Sequence, residues 1–211
     1  MAPPITTPAP DNITGNFDSD SMKSKLALEG KRVVMFLGTP RPHKGTEELF
    51  AAMEKISDPE VRLVLVGAGL SVQRYIDSMK NNQDKVIVIP QIPFNQLPDY
   101  LSAADILSIP QRDTTDTQGQ IPAKLFDGMA MAKPIITTPI SDIPEVLGGH
   151  GYLIEPGNSE QLANTIKFIF ANPEEARLKG QNARKRCQEL YDLKVIEKEL
   201  TSQIKKLTHT Q

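Results

Sequence analysis

A chain of 211 residues has room for one large or two small domains, and with 39% hydrophobic and 24% charged residues it can build a packed core rather than stay disordered. Its 24 basic and 26 acidic residues leave a formal net charge of −2, which gives no global attraction to nucleic acid or an anionic membrane. A single cysteine, Cys187, excludes an intrachain disulfide framework and a cysteine-rich metal site, and fits a reducing compartment.

No apolar run approaches the roughly 18 residues of a membrane span, and the first residues lack the basic-then-apolar order of a signal peptide. The expectation is a soluble, cytoplasmic protein. Residues 1–25, rich in proline and polar side chains and without a sustained hydrophobic period, read as a flexible lead-in or interdomain linker. From there strands and helices alternate. "RVVMFLG" (32–38) is a strand followed by the helix "KGTEELFAAMEKI", and "VRLVLVG" (61–67) is a strand followed by "SVQRYIDSMKNN". "KVIVIP" (85–90) leads into "FNQLPDYLSAA", and "ILSIPQ" (106–111) leads through a polar loop, "QRDTTDTQGQ", into the helix after Ile121. "PIITTP" (134–139), a helical turn around "IPEVL" and "GYLIEP" (151–156) complete the pattern.

The strands are continuous apolar runs, as burial on both faces requires in a parallel sheet covered by helices on each side. The alternation predicts a doubly wound α/β domain over residues 26–172 with right-handed crossovers. Residues 173–211 form a helical C-terminal extension, whose first helix starts at Pro173. Such folds bind ligands beyond the carboxyl ends of their strands, so the loops there carry the candidate chemistry.

After the first strand, "GTPRPHKG" (38–45) opens with Gly38 and Thr39 and then places Arg41, His43 and Lys44 within four positions. Lys44 falls at the start of a helix, where free N–H groups favour an anion. The stretch reads as a phosphate site or as a solvated basic turn, with His43 on the surface. After the second strand, Gly67 and Gly69 suit a tight turn; the third glycine of a dinucleotide fingerprint would fall at Val72, and NAD binding is not expected. Gln91 and Ile92, after the third strand, can present backbone groups to the edge of a flat base, and Asp105 reads as a cap or turn residue.

Pro122 can begin the next helix, which turns the backbone N–H groups of Ala123 and Lys124 towards the cleft. Gly128, with Ala130 and Ala132, lets that helix lie close to its neighbours. Asp127 either accepts hydrogen bonds from a polyol such as ribose or pairs with Lys124, three residues back. The polar loop before this helix has no evident packing partner. A phosphorylated receiver domain has a similar alternation, but the first strand ends in "FLG" without the acids that coordinate magnesium.

The ordered set "VVMFLGTPRPHKG", "VRLVLVGAG", "LPDYLSAADILSIPQ", "IPAKLFDGMAMAKPIITTPISDIPEVL" and "GYLIEPGNSEQLANTI" resembles the C-terminal, donor-binding domain of retaining glycosyltransferases with two facing Rossmann-like domains, of the glycosyl transferases group 1 type. The resemblance runs from Arg32 to about Arg186. It implies a mostly parallel Rossmann-like sheet and a nucleoside diphosphate sugar as substrate. Lys44 would bind the donor diphosphate and, with Arg41, stabilise the leaving group. Gly38, Thr39 and Gly67 would line the nucleotide at the strand ends, and the backbone at Gln91 and Ile92 would hold the base. Ile121, Ala123 and Lys124 would donate N–H groups to phosphate or sugar, and Asp127 would bind ribose hydroxyls. No cofactor or bound metal is implied.

Two departures stand out. The first of the two glutamates usual around this loop falls at Gly119, leaving Gln118, Gln120 or Asp116 to fill its place, and the usual arginine five residues before the lysine falls at Thr39. The chain begins where an N-terminal acceptor domain would end. It is therefore expected to be the donor half of a glycosyltransferase, little active alone and completed by a domain missing here or supplied by another chain. The alternative is a non-catalytic regulatory or assembly module on the same fold.

Overall fold

The structure is a computed structural model that describes residues 17–208. The remainder of the expected lead-in, residues 1–16, and residues 209–211 lie outside the described residues. Six strands, β1 (Arg32–Leu37), β2 (Val61–Val66), β3 (Val86–Ile89), β4 (Ile106–Ile109), β5 (Ile135–Thr137) and β6 (Tyr152–Leu153), form one sheet in the order β3-β2-β1-β4-β5-β6. Every neighbouring pair is parallel. This is the doubly wound arrangement that the apolar runs predict.

Burial on both faces explains those runs. Along β1, Val34 and Phe36 enter one core layer with Leu63, Leu65, Leu49, Met53, Leu162 and Ile166. Val33 and Met35, between them, enter the opposite layer with Leu107, Leu125, Met129, Leu147 and Cys187. A period of two on a doubly covered strand makes every position apolar.

The helices are α1 (Ser19–Lys25), α2 (Thr46–Glu54), α3 (Gln73–Asp77), α4 (Leu97–Ser102), α5 (Ala123–Ala130), α6 (Ile143–Leu147), α7 (Ser159–Ala171), α8 (Pro173–Leu190) and α9 (Leu193–Thr208). The first corrects the reading of residues 1–25 as lead-in throughout. Asp18 caps α1 by accepting from the N–H groups of Asp20 and Ser21, and Met22 is buried. Lys23 then donates to Asp105 at 2.9 Å. Asp105 in turn accepts from the Val33 N–H at 2.7 Å, so this carboxylate fastens α1 to the amino ends of β1 and β4 rather than merely turning the chain.

In the C-terminal extension, α8 starts at Pro173 as the sequence predicts. It also belongs to the sheet's core, which therefore continues past residue 172: Ala183 and Cys187 are buried in the layer that holds α5. Gly180 lets α8 press on the turn after α5, since a Cβ there would lie 2.1 Å from the Ala132 carbonyl oxygen. On its other side α5 lies on the sheet through Gly128, whose added Cβ would meet Leu107 Cδ2 at 2.4 Å.

Candidate functional site

The strand order reverses direction between β1 and β4. The registered pairs of these strands are Val34 with Ile106 and Met35 with Leu107, and beyond them a cleft of about 510 Å³ opens at the carboxyl ends of the strands. Crevices at such a switch are where open α/β sheets hold their ligands. Nine of the predicted site residues line it: Gly38, Lys44, Gly67, Gln91, Ile92, Gln120, Ala123, Lys124 and Asp127. They come from four strand ends and one helix, so the fold alone brings them together.

The turn after β1 is shaped by its contacts. Pro42–Lys44 makes a single 3-10 turn, and Gly45 follows at φ 70°, leading into α2. A Cβ on Gly45 would lie 1.6 Å from the Pro110 carbonyl oxygen, so only glycine lets this turn close on the end of β4. The buried Thr46 hydroxyl donates to the Arg41 carbonyl at 2.9 Å and accepts from the Arg41 N–H at 3.1 Å. Lys44 Nζ donates to the Thr39 carbonyl at 3.1 Å. Burial, and then the nearby Arg41 guanidinium, hold the Lys44 ammonium below its ordinary pKa.

Arg41, expected to share the leaving group with Lys44, is exposed and lies outside the cleft lining. Thr39 and Ile121 are also outside it: Thr39 contributes its carbonyl to Lys44, and Ile121 packs against the core. His43, read as a surface residue, instead lines the cleft, with Nδ1 3.5 Å from Asp116 Oδ2.

The polar loop is packed after all. Gln111 and Thr117 are buried. The Thr117 hydroxyl hydrogen-bonds the Arg112 carbonyl at 2.6 Å and accepts from the Thr114 N–H at 3.0 Å. Arg112 reaches back to α2, with Nε 2.6 Å from Glu48 and Nη2 2.5 Å from Glu47. The Gly119 N–H donates to Ser141 Oγ at 2.8 Å. Of the three side chains considered for the place left by Gly119, Gln118 turns to Asp113, Asp116 faces His43, and Gln120 lines the cleft while bonding the Asp116 carbonyl.

Pro122 is the cap of α5 rather than its first residue, and its side chain offers no capping oxygen. Lys124 does not pair with Asp127: its Nζ donates to the Leu37 carbonyl at 2.9 Å and lies 4.5 Å from the centre of the Phe36 ring. Burial, with the Lys44 charge, lowers its pKa to about 7. Asp127 sits half-buried in the cleft wall, and burial raises its carboxyl to about 6. Sequence reasoning also passed over Gln111 and Thr117 and the apolar lining from Leu37, Val66, Phe94, Leu97 and Pro122. Position was the one available signal, and only for some: Leu37 and Val66 end their strands and Gln111 closely follows β4.

The chain spans about half or less of the length of the curated relatives it matches. It is 24% identical over 196 residues to spore coat protein SA of Bacillus subtilis, covering 87% of this chain and 51% of that protein. In structure it resembles Anabaena Alr3699/HepE solved in complex with UDP, with a TM-score of 0.79, 20% identity, and coverage of 92% of this chain and 54% of that one. It also resembles the C-terminal domain of the glycosyl transferase group 1 family protein LpcC from Francisella tularensis, with a TM-score of 0.71, 20% identity, and coverage of 83% and 94%. Residues 18–186 match the family described as glycosyl transferases group 1. With most of its length inside that match, the chain belongs to the glycosyl transferases group 1 family.

Proposed function

We propose that this chain is the donor-binding half of a retaining glycosyltransferase, taking a nucleoside diphosphate sugar. The observation that carries the reading is the placement of Lys44 and Asp127 in one cleft at the switch between β1 and β4. Lys44 supplies positive charge for a diphosphate, and the uncapped start of α5 adds N–H groups from Ala123 and Lys124. Asp127 supplies acceptor oxygens for ribose hydroxyls, and Ile92, Phe94 and Leu97 give the base an apolar bed beside the backbone of Gln91. Charge on the departing diphosphate is met by side chains and helix N–H groups, so the proposed chemistry uses no metal. A facing acceptor domain, outside this chain, completes the site. That HepE was solved with UDP supports uridine as the first base to try.

The test is a calorimetric titration of the whole chain with UDP, GDP and ADP. Saturable binding of one diphosphate is expected, weakened about tenfold or more in Lys44→Ala and in Asp127→Ala. Failure of all three to bind at millimolar concentration overturns the reading. Gly119 favours the second reading, a non-catalytic regulatory or assembly module: its N–H is occupied by Ser141, and it has no side chain to offer a sugar. That reading predicts no nucleotide affinity.

A further inference from the structure

The cleft floor holds a charge that no acid balances. Lys124 reaches from the first turn of α5 to the end of β1: the residue lines the cleft, and its Nζ donates once, to the Leu37 carbonyl. An ammonium has three donors. The Phe36 ring lies beneath it, 4.5 Å from Nζ to the ring centre. The charged groups around it are few. Lys44 faces it from the turn after β1 and repels it. Behind Lys44 stands Arg41, also positive, and beside it the titratable His43 lines the cleft with Nδ1 turned to Asp116. Asp127, one turn further along α5, forms no ion pair with it among the described residues. The carboxyl is raised by burial, the reverse of what a close ammonium would do. The end of β4 and the loop after it line the cleft with the neutral Gln111, Thr117 and Gln120, and β2 and β3 contribute Gly67 and Gln91.

A buried ammonium beside a second, half-buried one, with no carboxylate paired to either among the described residues, is costly unless an anion joins them. We propose that the Lys124 ammonium is the second cation of a diphosphate subsite, clasping with Lys44 the phosphates of a nucleoside diphosphate. The inference rests on the donor-binding reading and adds a side chain to it: Lys124 acts through Nζ, not only through its backbone. An approaching diphosphate replaces the lost water and the missing counter-charge together. It therefore raises the affinity of Lys124 for a proton, and binding takes one up from solvent.

That proton is the readout. Wild-type chain is titrated with UDP at pH 8.2 in Tris and again in HEPES, whose different ionisation heats count the protons exchanged. UDP is fully ionised at that pH, so uptake belongs to the protein. With Lys124 near pKa 7 in the free chain, close to one proton is taken up on binding. Lys124→Arg, which stays charged at all these pH values, binds UDP with the uptake abolished. Lys44→Arg keeps most of it. Lys124→Gln loses about tenfold to a hundredfold in affinity, and if that variant fails to fold, the arginine variant decides. Undiminished proton uptake in Lys124→Arg, or wild-type affinity in a folded Lys124→Gln, overturns the inference while leaving the donor reading intact. No binding of UDP, GDP or ADP by the wild type overturns both.

Discussion

Gly45 offers a measurement of how firmly the fold holds the cleft. Gly45 and Gly30 share nearly the same positive φ, 70° and 68°. Their surroundings differ completely: a Cβ on Gly30 meets nothing within 4 Å, whereas one on Gly45 would lie 1.6 Å from the Pro110 carbonyl oxygen and 2.6 Å from its carbon. Alanine at either position costs about 1–2 kcal/mol for the left-handed conformation, less a common gain of about 0.4–1 kcal/mol from a stiffer unfolded chain. Gly45→Ala must also push apart the turn after β1 and the end of β4, which adds about 1–3 kcal/mol of overpacking. Urea denaturation of both variants gives that added cost directly, because the terms they share cancel. Gly45→Ala should be the less stable by about 1–3 kcal/mol, and its displaced Lys44 should weaken UDP binding, while Gly30→Ala binds normally. Equal stabilities would refute the reasoning that this contact, and not the backbone angle, requires glycine.

Asp127→Asn should stabilise the free chain at pH 7 by at most about 3 kcal/mol, since burial disfavours the carboxylate. The native state keeps its proton up to about pH 6 and the unfolded state loses it near 3.8. Stability of the wild type therefore falls as pH rises through that window, and the gap between the two melting curves should close below it. The same group makes UDP binding weaken as pH drops below about 6, an effect that a titration series would register and that should be smaller in Asp127→Asn, where the UDP phosphate still takes up a proton at about pH 6. Asp105→Ala should cost about 2–4 kcal/mol, because it strands the fully buried Val33 N–H and releases Lys23. Amide exchange should then show α1 opening ahead of the sheet.

The strands were legible because a doubly buried strand can only be written in apolar residues, and Gly38 and Gly67 marked the ends of β1 and β2 while Pro90 and Pro110 marked those of β3 and β4. Nine of the twelve predicted site residues line the cleft for the same reason: in this topology, following a strand already means facing the crevice. Arg41 failed because its place depends on Thr46 holding the turn from beneath, a contact across five residues that no period reveals. Helix α1 stayed hidden because seven residues with a single buried side chain, Met22, show no hydrophobic period, and its stability comes from a cap and from Lys23 meeting Asp105, 82 positions away. The polar loop seemed idle because its residues satisfy one another. The path of the Lys124 ammonium was illegible as well: helical spacing says which face a lysine is on, not that its end reaches the carbonyl of Leu37.

One wall of the cleft is fixed and the other is not. Helix α5 is gripped from both sides, by Leu107 beneath Gly128 and by Gly180 of α8 against the Ala132 carbonyl. A methyl group added at Gly180 meets backbone that cannot step aside, and one added at Gly128 must displace the tip of the buried Leu107 side chain. The loop over residues 111–121 is held instead by reversible polar ties, through Arg112, Thr117 and Ser141. Inheritance can work on these two walls unequally. Lineages that drift in the loop can reshape that side of the cleft while α5 stays where it is, much as a vice takes new jaw plates without a new frame.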